Sequence, residues 1–399
     1  MNYKKILLFG GVFILAVGAA TYFLGPLDSN VEHPELPPLT EDSSSVEAGE
    51  TSIANIIEDE NAPTLAYLDT YAMPSGTHRP EILFHEDTLY LLMVDHDNDV
   101  RHKGYIFDAS DPYNIDFEDY ETFVISEGNE EYGYGADHRA TILNDEIVVV
   151  FQSNVVDEEK AGECIGGPSE PCLDRQHLML ARFTLDGEEI STTEIANTNK
   201  FEEDNYPDMC ILAYGDNLLV STGTETGLKI REIDMDANIL STYEYDVSNT
   251  TILGSIGNSM FWDTDGGLLM FSDNSPMEGN LSITEMDKNF EIERLTLFDA
   301  LPDDESTFQT GVTYKDGYYF VGYSAREAGD RAIETNPLSP RLMILDENLD
   351  VVDTIVISNE AGSGHVHPTL DIVGNLLFYS WSKAEGTAPQ VFVEVFEVS

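Results

Sequence analysis

The stretch Pro80–Val94, PEILFHEDTLYLLMV, decides the fold. An apolar run leads into a short polar turn, and a second apolar run follows that turn. Asp, Asn and Gly tolerate the positive φ of tight turns, so such residues between two β-rich runs indicate an antiparallel hairpin. The stretch therefore predicts two paired strands, called A and B below.

The same pattern returns five more times, about 50 to 70 residues apart. These copies are Ala140–Phe151, Asp208–Ser221, Ser259–Phe271, Gly311–Tyr323 and Pro368–Tyr379. A second hairpin, of strands C and D, follows most copies, at Phe183–Thr192, Glu232–Thr242, Thr284–Arg294 and Met343–Thr354. Two hairpins per repeat make four strands, which is one blade of a β-propeller.

The two ends of the repeat region complement each other. Only one strand, Gln390–Val398, follows the final hairpin, so the last blade lacks its D strand. Thr64–Met73 resembles the D strands elsewhere, and we expect it to complete the last blade and close the ring, which removes exposed edges. The sequence predicts an all-β, six-bladed propeller over residues 63–399. A two-sheet sandwich is the alternative.

The N-terminal residues 1–24 predict a membrane segment. Ile6–Leu24 carries no charge and follows Lys4 and Lys5, so it is long enough to span a bilayer as a helix with the lysines in the cytoplasm. A cleaved signal peptide is the alternative. Both place the propeller outside the cytoplasm. Residues 25–62 are rich in Pro, Ser, Glu and Asp, which predicts a disordered acidic stalk.

The charge of the chain is strongly negative. Nineteen Lys and Arg stand against 75 Asp and Glu, which gives a formal net charge of −56. Such a field repels polyanions, so nucleic-acid binding by the folded domain is excluded. Salt screens the self-repulsion, and the composition therefore indicates a saline habitat or abundant divalent cations; a generally acidic secreted proteome is the alternative.

The chain contains three cysteines. Cys164 and Cys172 flank a short loop rich in Gly and Pro, and in an oxidising compartment this spacing predicts a local disulfide bond. Cys210 lies in an apolar run and is expected to be a buried free thiol.

The predicted connections differ between the two faces of the propeller. The A–B and C–D turns lie on one face, here called the turn face, and are short in most blades. The B–C and D–A connections lie on the other, the loop face, and the B–C loops include Asp95–His102, Ser153–Gln176, Ser272–Asn280 and Ser324–Arg341. Long loops on one face of a rigid scaffold are where binding and catalysis usually occur.

Polar residues precede the innermost strands at the predicted channel mouth. The candidate ligand-binding residues are His78, Arg79, His138, Arg139, Tyr206, Gln309, His365 and His367. Arg79 and Arg139 would form a cationic pocket for a carboxylate or phosphate, which guanidinium groups bind through two hydrogen bonds. The alternative is that both arginines pair with Asp137 or Asp208 and join adjacent blades.

Three further groups carry chemical expectations. Asp137 and Asp208 are the candidate catalytic acid and base, although so acidic a chain favours the alternative that each is a solvated surface residue. The four histidines at the mouth would ligate a transition metal or simply line a polar channel. Asp95, Asp97 and Asp99 have a DxDxD spacing that can bind calcium, but the Gly at the sixth position and the acid at the twelfth are absent.

The motif His78–Arg79–Pro80, followed by an apolar strand, resembles the Arg-Ile-Pro strand of sialidases. The Tyr318–Phe320 strand resembles the five-bladed arabinanase and fructosidase-like glycosidases. The resemblance is at the level of the propeller superfamily, and it implies that Arg79 binds a substrate carboxylate. The sequence departs from sialidases in having no Ser-x-Asp-x-Gly-x-Thr-Trp box.

Three functions follow from these features. The first is a membrane-anchored cell-surface propeller that binds a glycan or a protein on its loop face. The second is an extracellular glycoside hydrolase of the sialidase or a related propeller type. The third is a structural subunit of a surface assembly. The sequence indicates no definite cofactor beyond the calcium expectation.

Overall fold

A computed structural model describes residues 50–95, 100–127, 137–156, 173–199, 204–224, 227–246, 256–263, 266–273, 281–298, 304–305, 311–327, 339–358, 366–385 and 388–399. Within these ranges every regular element is a β-strand. No helix in the described ranges is long and apolar enough to cross a membrane.

The strands form six sheets, which are the six predicted blades of the described chain, and the four strands of each blade are antiparallel neighbours. Two strands precede the first blade: β1 (Glu50–Ile53) and β2 (Leu65–Ser75). Blade 1 contains β3 (Thr77–His85), β4 (Thr88–Asp95), β5 (Val100–Asp108) and β6 (Glu121–Glu127). Blade 2 contains β7 (His138–Leu143), β8 (Glu146–Val156), β9 (Leu173–Thr184) and β10 (Glu189–Asn199). Blade 3 contains β11 (Asp204–Tyr214), β12 (Asn217–Thr224), β13 (Gly227–Ile233) and β14 (Ile239–Asp246).

The second half of the ring repeats this order. Blade 4 contains β15 (Ile256–Trp262), β16 (Leu268–Asp273), β17 (Leu281–Met286) and β18 (Ile292–Leu297). The short β19 (Asp304–Glu305) pairs with the end of β21 in blade 5, which contains β20 (Gly311–Lys315), β21 (Tyr318–Glu327), β22 (Ser339–Asp346) and β23 (Val351–Val356). Blade 6 contains β24 (Thr369–Val373), β25 (Leu376–Glu385) and β26 (Ala388–Val398), with β2 as its outer strand.

The predicted closing strand is confirmed. β2 pairs with β26 in antiparallel register, so that Leu65 lies opposite Val398 and Thr70 lies opposite Glu394. The Thr70 hydroxyl also donates a hydrogen bond to Glu394 at 2.7 Å. Blade 6 therefore combines strands from both ends of the propeller, and its outer edge is covered as predicted.

The core is divided among the blade interfaces. The described chain contains one buried apolar cluster at each of the six junctions between neighbouring blades. At the junction of blades 1 and 2, for example, Leu92 and Phe123 pack with Ile147 and Val149. Each blade is apolar on both faces because each face contacts a neighbour, which is why the strands read as nearly continuous hydrophobic runs.

The C–D turns share a repeated local structure. Asp234, Asp287 and Asp346 each accept hydrogen bonds from backbone amides two and four residues further along the chain. The third residue after each Asp has a positive φ, yet it is apolar and buried: Ala237, Phe290 and Leu349. A positive φ is costly for these residue types, so their burial against the core offsets the backbone strain.

Residues 50–62 were predicted to belong to a disordered stalk, but part of this range pairs with blades 4 and 5. β1 adds to the outer edge of blade 4 in parallel with β18, and the Ile57 amide donates to the Val351 carbonyl of blade 5 at 2.9 Å. Asn55 also donates its side-chain amide to Asp350. An added edge strand is held mainly by backbone hydrogen bonds, so it does not need the large apolar residues whose scarcity suggested disorder. Residues 1–49 lie outside the described ranges.

Candidate functional site

The central channel is lined by the innermost strands of all six blades. Its wall comprises residues 81–83 of β3, 139–141 of β7, 210–212 of β11, 259–261 of β15, 311–313 of β20 and 369–371 of β24. The channel encloses about 740 Å³ of empty space, part of which is open to solvent. Three residues from each blade thus surround one axis, and the lining includes polar as well as apolar side chains.

A smaller cavity lies where these strands begin, on the loop face; its empty space of about 250 Å³ is in part open to solvent. Its lining residues are Arg79, Pro80, Asp137, His138, Arg139, Met209 and His367. Five of the sequence-predicted site residues are therefore brought together from blades 1, 2 and 6. The prediction that the D–A connections converge on the channel mouth holds for these five.

Two crossed ion pairs join blades 1 and 2 at the mouth. Arg79 of β3 pairs with Asp137, the residue just before β7, and both side chains are largely buried. Two residues further along, blade 1 carries the acid and blade 2 the arginine. Arg139 of β7 donates a hydrogen bond to Glu81 of β3 at 2.9 Å. Arg79, Asp137 and Arg139 line the smaller cavity, and Glu81 and Arg139 line the channel, so both pairs border the channel axis. The pair of Arg79 with Asp137 is the one that the alternative interpretation of the sequence expected, whereas Glu81, the partner of Arg139, was not among the predicted carboxylates.

Backbone strain is concentrated at the same place. Arg79 has a φ of 53° and His367 a φ of 46°, and each precedes a proline. A positive φ is uncommon for residues other than glycine, and a following proline restricts the backbone further. Strained residues of this kind persist where the surrounding structure holds them, and they are concentrated at functional sites. The Arg79 amide is held by the Ser382 hydroxyl of blade 6 at 2.9 Å.

His138 is a neutral residue of this site. The pKa of its imidazole is lowered to about 3, mainly by burial and in addition by the positive charges of Arg139 and Arg79. The centroid of its ring lies 5.1 Å from that of the His102 ring, in an edge-to-face arrangement. His138 therefore cannot serve as a proton donor near neutral pH.

Two carboxylates of the channel, Glu81 and Asp371, were not among the residues predicted from the sequence. Burial raises the pKa of Glu81, and the neighbouring Arg139 opposes that shift. Burial also raises the pKa of Asp371 to about 6, and the charge of Glu81 contributes to this shift. Each is an acidic residue within an apolar A strand, EILF or TLDIV, and this break in the pattern was the available signal.

The other predicted site residues do not line the smaller cavity in the part of the chain that the structure describes. Tyr206 and Asp208 belong to β11, where the register is irregular between Asn205 and Cys210, and their side chains are not described. Gln309 and His365 lie outside the described residues, as do Cys164 and Cys172. The candidate catalytic role of Asp208 and the predicted disulfide bond remain predictions. Cys210 is a buried thiol, as expected, and burial raises its pKa to about 11.

The metal expectations have little support from the described side chains. No group of three or more His, Cys, Asp or Glu residues with ligand geometry occurs among them. Asp95 is buried, and the ammonium group of Lys103 lies 3.9 Å from its carboxylate. Asp97 and Asp99 lie outside the described ranges, so calcium binding remains a prediction.

Comparison with solved structures finds several similar chains. A protein of unknown function from Dyadobacter fermentans matches with a TM-score of 0.55 at 10% identity, over 84% of this chain and 99% of that one. The architecture is that of a known fold. A mutant of Trypanosoma rangeli sialidase with trans-sialidase activity matches at 8% identity and a TM-score of 0.46, over 88% of this chain and 58% of that one. This chain thus spans less than two thirds of the sialidase.

An arabinanase from Bacillus subtilis also matches, at 14% identity and a TM-score of 0.38, over 81% of this chain and 96% of that one. The resemblance to sialidases and propeller glycosidases expected from the sequence is present, at the level of the fold. No protein-family model and no curated protein sequence matches this chain.

Proposed function

We propose that the chain is a glycan-binding propeller that holds a neutral, polyhydroxylated ligand at the channel mouth. The observation that carries this proposal is the pair of crossed ion pairs, Arg79 with Asp137 and Arg139 with Glu81. Each arginine is neutralised by a carboxylate, so the mouth offers no unpaired guanidinium among these four groups.

The chemistry of paired ions favours a sugar over an anion. A guanidinium has five N–H donors and a carboxylate about four acceptor positions, so a pair keeps spare capacity for the hydroxyl groups of a ligand. An anionic ligand would have to displace Asp137 or Glu81, and it would approach against the field of a chain with a net charge of −56. A neutral polyol avoids both costs.

The binding test compares two arginines that are both paired with carboxylates. Arg79→Met removes a side chain of the mouth, whereas Arg182→Met removes a guanidinium that is paired with Glu146 away from the mouth. A glycan array at high salt identifies a ligand, and calorimetry measures its affinity for the full chain and both variants. We expect Arg79→Met to weaken binding more than tenfold and Arg182→Met to leave it unchanged. Equal effects of the two changes, or no ligand on the array, would overturn the proposal.

A second candidate function is glycoside hydrolysis. The observation that favours it is the neighbouring pair Glu81 and Asp371, because the raised pKa of Asp371, about 6, keeps part of its carboxyl groups protonated just below neutral pH. Most glycosidases use two carboxyl groups, one as acid and one as base or nucleophile, whereas sialidases use a tyrosine as the nucleophile. Release of reducing sugar that is lost in both Glu81→Gln and Asp371→Asn would support hydrolysis. Binding without release would leave the binding function alone.

The proposed location is the outside of the cytoplasmic membrane. The uncharged run Ile6–Leu24 after two lysines supports this part of the proposal. Protease treatment of intact cells tests it: the propeller should be degraded while a cytoplasmic marker survives. Protection of the propeller in intact cells would contradict it.

A further inference from the structure

The C–D connection of blade 1 departs from the short turns predicted for the turn face. It comprises residues 109–120, whereas the corresponding connections of blades 2 to 5 are residues 185–188, 234–238, 287–291 and 347–350. The long connection reaches the junction of blade 1 with blade 6, where the terminal strands β2 and β26 meet. Long loops on a rigid scaffold are frequent sites of binding.

This connection is built into the fold rather than loosely attached. Phe117 is buried and stacks on Tyr71 of β2 with ring centroids 4.2 Å apart. Ile115 is buried in the same cluster. Asp111 accepts hydrogen bonds from the Tyr113 amide and the Asn114 side chain, which fixes the tip of the connection. A preformed wall of this kind lowers the entropic cost of binding a ligand.

A pocket lies between the connection and the edge of blade 6. It encloses about 590 Å³ of empty space, part of which is open to solvent. Its walls include Leu68, Asp69, Tyr71, Tyr113, Ile115 and Phe117. The Tyr113 side chain is 54% exposed although it borders a cavity, so an aromatic face is available to a ligand. Because part of this space is open to solvent, the pocket suits a molecule smaller than a typical drug-sized ligand.

The lining of the pocket selects the charge of its ligand. Asp69 is the one acidic group among the described lining residues, and neither Lys nor Arg lines the pocket there. The Tyr113 hydroxyl lies 3.4 Å from the Glu397 carboxylate, which adds a second negative charge nearby. Aromatic faces attract cations, and they do so most strongly where water is excluded. The other lining residues named above are apolar or aromatic, so they offer few hydrogen bonds to a sugar.

We propose that this pocket binds a small organic cation, an ammonium group bearing apolar substituents. The rings of Tyr71, Tyr113 and Phe117 would contact its substituents, and Asp69 would neutralise its charge. The pocket opens beside the terminal strands and the turn-face connection, whereas the glycan site proposed above lies at the channel mouth. The two sites are therefore independent.

The test uses choline and its uncharged carbon isostere, 3,3-dimethylbutan-1-ol. Ligand-observed NMR of the full chain measures line broadening of the methyl signals of each compound over a concentration series. We expect choline to bind at least about fivefold more tightly than the isostere, in the range that cation–π and ionic contacts provide. Equal affinities, or no binding of choline, would overturn the proposal.

A matched pair of variants locates the site. Asp69→Asn should weaken choline binding at least about threefold, because it removes the negative charge at the pocket. Asp353→Asn is the control: Asp353 is an exposed residue in the D strand of blade 5, and like Asp69 it accepts a hydrogen bond from the next backbone amide. Similar losses in both variants would mean that choline senses only the overall negative charge, and that would overturn the assignment to this pocket.

Discussion

Asp371 accepts a hydrogen bond from the backbone amide of Phe84 at 3.0 Å, across the junction between blade 6 and blade 1. The same carboxylate also accepts from the Ile372 amide at 2.8 Å. These bonds join the innermost strands of the last and the first blade. They favour the ionised carboxylate, yet the opposing effect of burial is larger, and the pKa is raised to about 6.

The raised pKa of Asp371 predicts a pH-dependent stability. The folded state holds a proton up to about pH 6, whereas the unfolded chain releases it near the ordinary pKa of 3.8. The contribution of Asp371 to stability is therefore present below about pH 4 and is lost as the pH rises through 6. Urea unfolding measures the free energy of unfolding of the wild type and of Asp371→Asn. Between about pH 4 and 6, that of the wild type should fall by on the order of 2 kcal/mol relative to that of the variant. A constant difference would contradict the assignment.

Removing only one partner of the ion pair between Arg139 and Glu81 should lower the free energy of unfolding. Arg139→Met leaves Glu81 in the channel without its ionic partner, and we expect a loss of about 3 kcal/mol in the free energy of unfolding. The double variant Arg139→Met, Glu81→Gln removes both charges and should recover part of that loss. Chemical unfolding of the four members of this cycle measures the coupling, and additive losses would show that the two side chains do not interact.

Gly104 of β5 leaves room for the ring of Phe123 on the neighbouring strand. A methyl group added at Gly104 would come within 2.1 Å of that ring, so Gly104→Ala should destabilise the propeller by about 1–3 kcal/mol. Phe123→Leu in the same chain should restore part of the stability by vacating the space. Thermal unfolding measures the melting temperatures of these variants. An unchanged melting temperature in Gly104→Ala would mean that the Phe123 ring can move aside.

His138 should remain neutral throughout the ordinary pH range. Its pKa is lowered to about 3, first by burial and then by the charge of Arg139. The NMR signals of its ring should therefore not change between pH 5 and 8 in the folded chain. In urea the same ring should titrate near its ordinary value of about 6.5. A midpoint above pH 5 in the folded state would show that the ring is hydrated.

The segment that covers the outer edges of blades 4 and 5 should add modest stability. Replacing residues 50–57 with a Gly/Ser linker of equal length removes β1 and the contacts of Asn55 with Asp350. We expect the melting temperature to fall by a few degrees while the propeller still folds, because the four strands of each blade remain. Loss of folding would show that the segment is essential to the ring.

The fold was predictable because its signals are local. Each hairpin turn is marked by Asp, Asn or Gly between apolar runs, and the missing D strand was visible in the order of the strands. The site was predictable only in part: Arg79, Asp137 and Arg139 precede or begin innermost strands, so their meeting follows from the repeat. Which charges pair depends on the register between blades, and Glu81 and Asp371 were hidden within strands that otherwise read as core.

The pocket beside Tyr71 could not be predicted from the sequence. Residues 109–120 contain turn residues and aromatic residues, but only the packing of Phe117 against a strand some 40 residues earlier shows where the connection lies. Contacts between distant segments leave no periodic pattern, so the shape of the pocket depends on the completed ring.

The pairing of β2 with β26 has a consequence for biosynthesis. The two strands are separated by more than 300 residues, so β2 leaves the ribosome long before its hydrogen-bonding partner exists. During that interval β2 has an unpaired edge that is open to association with other chains. The charged and polar residues on β2, including Asp69 and Thr70, lower that risk while the chain is incomplete. Closure of the ring is then a late step of folding, and it takes place only after translation has reached the last strand.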